Sequence, residues 1–102
     1  MKKLFISQPM RGLTDEEILK AREEIRARAE HAIGEPVELI DSFIKDYPKE
    51  INKSIPVWCL GKSIQFLSQA DIAYFGGNWR NARGCQIEHE VARTYGIKII
   101  EE

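Results

Sequence analysis

The residues best suited to chemistry lie in one stretch, Trp79-Arg80-Asn81-Ala82-Arg83-Gly84-Cys85-Gln86-Ile87-Glu88. It follows the strand-like run Ala70 to Phe75 and opens a helix that ends at Tyr95-Gly96. Backbone N–H groups at a helix start have no intrahelical partners, and Gly84 exposes them at the C-terminal edge of a strand. Open α/β sheets bind ligands at that edge, where anions are favoured. Glu88 comes four residues after Gly84, beside the apolar stripe Ile87, Val91 and Tyr95, so it is expected to face inward. A carboxylate on the inner edge of a first helical turn is kept anionic by the helix dipole and can act as a nucleophile or electrostatic stabiliser. The same placement also suits a glutamate that merely complements the dipole. Glu90, two residues on, turns to solvent.

A second candidate is the loop Ser7-Gln8-Pro9-Met10-Arg11-Gly12-Leu13, punctuated by Pro and Gly after the first strand. Backbone N–H groups around Met10, Arg11 and Gly12 lie at a helix entrance, and with the Arg11 guanidinium they suit a phosphate. Arg11 reads equally well as an exposed loop residue. In the Gly76-Gly77-Asn78-Trp79 loop the tryptophan is large enough to stack on a base, although covering a hydrophobic edge is its commoner use. In a doubly wound sheet these two loops border one crevice. Neither loop carries a dinucleotide fingerprint or a Walker motif. Ser7 has no histidine and aspartate in a recognisable triad order.

The elements that hold these loops alternate along the chain. Strand one is Lys3 to Ser7. Thr14 and Glu17 form a capping box ahead of a helix whose apolar stripe is Ile18, Ala21, Ile25, Ala29 and Ala32, with Lys, Arg and Glu on its other face. Gly34 and Pro36 end it. Val37 to Asp41 reads as strand two, and Ser42 to Lys53 is irregular, with Tyr47-Pro48 opposing helix. Ser54 caps a helix carrying Val57, Leu60, Ile64 and Leu67, in which Gly61 is expected to allow close approach of a neighbour. Asp71 to Phe75 is strand three, with Asp71 at the end away from the site, and Ile97 to Ile100 is strand four. Strands with continuous rather than alternating hydrophobicity, separated by helices, predict a small doubly wound, Rossmann- or flavodoxin-like α/β domain. It should have a parallel sheet of four to five strands and helices on both faces.

With 102 residues the chain suits one domain, residues 1–102, and its 43% hydrophobic and 30% charged content is ordinary for a globular protein. A net charge of −1 gives no footprint for duplex nucleic acid and no polybasic membrane patch. No apolar run approaches a bilayer span, and Met1-Lys2-Lys3-Leu4 leads straight into a strand without a signal-peptide pattern. Cys59 and Cys85 are far apart and read as reduced thiols of a cytoplasmic protein, and His31 and His89 are too isolated for a metal site. The expectation is a metal-free domain without a cofactor.

Three segments, Leu4 to Gly12, Ala70 to Ala73, and Gly84-Cys85-Gln86-Ile87-Glu88 followed by Ala92 and Gly96, resemble the nucleoside 2-deoxyribosyltransferase superfamily, which includes 2′-deoxynucleoside 5′-phosphate N-hydrolases. The pattern Trp-x-x-Ala-Arg-Gly-Cys-x-x-Glu is similar to its small bacterial and phage members. The resemblance runs over nearly the whole chain. It implies cleavage of the N-glycosidic bond of a nucleoside or nucleotide, with Glu88 as nucleophile and a glycosyl-enzyme intermediate passed to water or to a second base. It also implies phosphate binding by Pro9, Met10, Arg11 and Gly12, and a homo-oligomer, with a dimer expected; Ser7, Trp79 and Gly84, which border the two loops, complete the candidate substrate-binding set. Three positions depart from the superfamily pattern. Phe5 replaces a tyrosine that orients the nucleophile, Ser63 an aspartate near the leaving base, and Ala82 an acidic or hydroxyl residue. The competing reading is a nucleotide-binding module of the same fold that senses or sequesters its ligand without turnover. An interaction protein that only reuses the fold fits less well, because Arg11 and Glu88 are both present.

Overall fold

The computed structural model describes residues 1–44, 47–50 and 53–102. Its first strand, β1 (Lys2–Ser7), leads through a turn closed by Leu13 N–H to Met10 C=O at 3.1 Å into helix α1 (Asp15–Ile33). The Thr14 hydroxyl accepts from the Glu17 N–H and the Glu17 carboxylate accepts from the Thr14 N–H, each at 3.1 Å, so the capping box forms in full. Gly34 stops the helix at φ 74°, a left-handed backbone that glycine adopts without steric cost. Strand β2 (Val37–Leu39) is shorter than the expected Val37–Asp41, although the Ile40 N–H still reaches Leu4 C=O at 2.9 Å. The irregular segment expected from Ser42 to Lys53 lies partly outside the described residues.

Ser54 caps helix α2 (Ile55–Leu67), accepting from the Val57 N–H at 3.3 Å, with Pro56 in the first turn where its missing N–H costs nothing. Strand β3 (Ile72–Phe75), a 3-10 turn (Trp79–Asn81), helix α3 (Arg83–Thr94) and strand β4 (Lys98–Glu101) complete the chain. Asp71 sits at the N-terminal edge of β3, where its carboxylate accepts the Lys3 N–H at 2.8 Å.

The four strands are all parallel, in the order β2-β1-β3-β4. Leu4, Ile6, Ile72 and Tyr74 point to one face and pack with Ile25 and Ala29 of α1. Phe5, Ala73 and Phe75 point to the other and pack with Leu67 of α2 and with Cys85 and Ala92 of α3. The middle strands are therefore buried on both faces, which is why their sequences are apolar throughout. This is the small doubly wound, Rossmann- or flavodoxin-like α/β architecture, with four strands among the described residues. The chain winds outward in one direction from β1 and in the other from β3, so the switch point lies between those two strands, at the ends of Ser7 and Phe75.

The glycine that permits a close approach is Gly76 rather than Gly61. A Cβ on Gly76 would meet Tyr74 Cε1 at 3.2 Å and Glu102 Oε2 and Ile25 Cδ1 at 3.3 Å, whereas one on Gly61 would meet nothing. Among the described residues no helix is long and apolar enough to cross a membrane.

Candidate functional site

At the switch point the structure opens a crevice of about 340 Å³. That volume lies at the lower end of small-molecule sites. The end of β1 and its loop contribute Ile6, Ser7, Gln8 and Met10. The start of α3 contributes Ala82, Gly84, Cys85 and Glu88. The other walls are Arg22 from α1, Ser42 and Ile44 after β2, and Pro56, Cys59, Leu60 and Ser63 from α2.

Among the described residues Glu88 is the acidic group of this lining, 7% exposed, and its Oε1 accepts a 2.6 Å hydrogen bond from the Ser7 hydroxyl. The bond follows from strand parity. Phe5 points into the α2–α3 side of the core, and Ser7, two residues on, emerges on the same face at the strand's end, directly under α3. Phe5 itself is 1% exposed and fills core; the hydroxyl that holds the glutamate is thus supplied one pleat further along the strand.

Glu88 is the sixth residue of α3, in the second turn rather than the first, and the dipole acts mainly on the first turn. Its ionisation is set by its surroundings instead. Burial pushes the carboxyl above the usual carboxylate range, while the Ser63 and Ser7 hydroxyls pull it back. The expectation of a dipole-held anion is corrected accordingly. The neighbouring Cys85 thiol is also pushed up by burial, with Ser7 lowering it and the Glu88 charge raising it further. No side chain caps the start of α3, and Gly84 brings that helix end to the crevice wall.

The other expected site residues divide. Ser7, Met10 and Gly84 line the crevice with Glu88. Pro9, Arg11 and Gly12 do not, and Arg11 stands exposed on the surface of the turn. Pro9 instead lies beside the second loop, 3.6 Å from where a Cβ on Gly77 would be. Trp79 is corrected from a base-stacking platform to a core residue, being 6% exposed and outside the crevice. Its ring stacks on His89 at 4.4 Å, tilts against Phe75 at 5.4 Å and carries the Arg80 guanidinium at 4.5 Å. Its Nε1 donates to the Glu102 carbonyl at 3.4 Å, and the Glu102 carboxylate accepts from the Tyr74 hydroxyl at 2.8 Å and the Gly77 N–H at 3.1 Å. That loop is fastened down as scaffold.

Arg22 is the residue sequence reasoning missed. It lies four residues after Ile18 and three before Ile25, inside the apolar stripe of α1, and it is 4% exposed. Its Nη1 donates to the Ser42 hydroxyl at 3.1 Å, and its Nε has no partner. The spacing was the available signal, because a charged residue at a stripe position is carried into the interior. Ser63, where the superfamily pattern has an aspartate, does face the crevice and acts on Glu88. Among the described residues, no three His, Cys, Asp or Glu side chains converge as a metal site.

Fold and crevice together define a small doubly wound α/β domain whose candidate ligand site is the switch point of its sheet. More particularly, the chain belongs to the family described as Domain of unknown function (DUF4406), which matches residues 2–101. No curated protein and no solved structure matches it.

Proposed function

We propose that the chain is an N-glycosidase or deoxyribosyltransferase acting on a small nucleoside or nucleotide, with Glu88 as nucleophile. The observation that supports this reading best is the Ser7–Glu88 hydrogen bond inside the switch-point crevice. It fixes one carboxylate oxygen, and so the carboxylate plane, on a side chain that is itself buried at the crevice wall. In the reaction, a Glu88 oxygen bonds to the anomeric carbon as the N-glycosidic bond breaks. The base leaves with the bonding pair and takes a proton from solvent water. Water or a second base then displaces the glutamate from the sugar. The nucleophile must be ionised, so base release is expected to rise with pH through a Glu88 pKa that lies above the ordinary carboxylate value.

One observation favours a second reading, a binding module without turnover. Among the described residues no second carboxylate and no imidazole lines the crevice, so the departing base has no evident proton donor there. General acid help typically contributes roughly 10²–10⁴-fold. Incubation with 2′-deoxynucleosides and their 5′-monophosphates, followed by chromatography for free base, separates the two readings. Released base supports the enzyme; thermal stabilisation by a ligand without released base supports the module.

The same reading includes a homo-oligomer. Val57 on α2 is 67% exposed, and Trp58 and Phe66 on that helix are only partly covered. A second copy packing there would bury them and could bring a proton donor to the crevice. Light scattering at micromolar concentration should give about twice the protomer mass of 11.7 kDa; the protomer mass itself would refute the dimer.

A further inference from the structure

Arg22 is the group in the crevice that the proposed chemistry leaves unused. A guanidinium carries five donors, yet among the described residues this one has a single hydroxyl acceptor, Ser42 Oγ at 3.1 Å, and its Nε is unsatisfied inside the protein. Asp41 acts on it only through space, and the Phe43 ring lies 6.0 Å from its Cζ. No ion pair forms between Arg22 and a described carboxylate, although Arg26, one turn further along α1, pairs with both Glu23 and Glu30. A cation taken out of water without a counter-ion carries a large desolvation cost. That cost persists in a fold when an anion arrives from outside to offset it.

Position narrows the anion. Arg22 is on the α1 side of the sheet and Glu88 on the α3 side, and both line one crevice. A ligand spanning the crevice therefore presents its negative end to Arg22 and its reacting or neutral part to Glu88, since an anion beside Glu88 would be repelled.

We propose that Arg22, supported by Ser42, is an anion anchor for the phosphoryl group of a nucleoside 5′-monophosphate, so that the nucleotide rather than the free nucleoside is the preferred ligand. This rests on the reading of the crevice as a nucleoside or nucleotide site. It does not rest on turnover. Arg22 is a positioning residue here, and the exposed Arg11 is not needed for the anchor.

Calorimetric titration of the wild-type chain with a 2′-deoxynucleoside, its 5′-monophosphate and inorganic phosphate tests the anchor without any catalysis. The monophosphate should bind about ten-fold or more tighter than the nucleoside, as a charge-assisted contact provides, and inorganic phosphate should compete with it. Arg22→Gln should abolish that preference, bringing monophosphate and nucleoside to within about two-fold of each other. A wild type with no monophosphate preference, or an Arg22→Gln chain that keeps it, overturns the anchor. Should Arg22→Gln fail to fold by circular dichroism, Ser42→Ala must lower the preference instead, and an unchanged preference overturns the proposal. If neither nucleoside nor nucleotide binds, inorganic phosphate must still raise the melting temperature of the wild type above that in chloride of equal ionic strength; no rise overturns the anchor. Base release is read separately, so its failure sinks the glycosidase and leaves the anchor standing.

Discussion

Glu88 and Arg22 are built alike and finished differently. Each is a charged residue on the buried side of a helix, at most 7% exposed, and each meets one serine hydroxyl near a strand's end. They approach the crevice from opposite faces of the sheet. Glu88 has hydroxyls from both Ser7 and Ser63 to draw on, whereas Arg22 keeps a buried N–H without an acceptor. The difference teaches which side of the crevice is complete in the free protein. The carboxylate is arranged in advance, and the guanidinium is arranged around something the chain itself does not supply.

The largest expected effect breaks the pair at its acidic member. Glu88→Gln should cut base release by at least about a thousand-fold, since a neutral amide cannot form the glycosyl ester. Its stability should move the other way. The folded carboxyl binds its proton more readily than the unfolded one, so wild-type stability falls as pH rises from the ordinary carboxylate value, about 4.3, through the raised folded pKa. Below that window the two proteins should melt alike, and above it the glutamine variant should melt higher. A variant that melts lower at neutral pH would show that the ionised carboxylate supports the fold.

Removing the hydroxyl tests whether arrangement matters. Ser7→Ala should lower base release by roughly ten- to a hundred-fold, the effect of one charge-assisted hydrogen bond. It should also move the acidic limb of the pH–rate profile upward, because the anion loses a group that stabilises it. A lower rate with an unmoved limb would mean that Ser7 only shapes the cavity.

The smallest effect concerns the other member. Arg22→Met replaces a desolvated cation with an apolar chain of similar length, so melting in ligand-free buffer should be unchanged or slightly raised. A loss of several kcal/mol would show that Arg22 holds α1 to the segment after β2, and the likeness to Glu88 would end there.

Most of the fold was legible because its signals are local. The capping box at Thr14 and Glu17, the stop at Gly34 and the serine cap at Ser54 each depend on neighbours within a few residues, and each forms as expected. The apolar runs of β1 and β3 likewise declare strands buried on both faces. In the candidate site, Glu88 and Ser7 were legible as residues, but the bond joining them spans 81 positions. Of the wall contributed by α2, the resemblance set Ser63 near the leaving base, but nothing in the order of Cys59 and Leu60 says that they join it there. Trp79 misled because ring size alone cannot tell a platform from a plug; His89, Phe75 and Arg80 already occupy it. Arg22 was overlooked for the opposite reason, as one more charge on a helix rich in them.

The two cysteines give the crevice a built-in chemical reporter. Cys59 is half-buried on the α2 wall, and Cys85 is buried on the α3 wall with its thiol held protonated by its surroundings. Cys85 is thus shielded twice, by burial and by its raised pKa, so a mild alkylating reagent should label the more exposed Cys59 well ahead of it. A molecule seated between Arg22 and Glu88 covers the Cys59 wall and slows that labelling. Mass spectrometry of alkylated protein thus reports occupancy compound by compound, even for ligands that undergo no reaction.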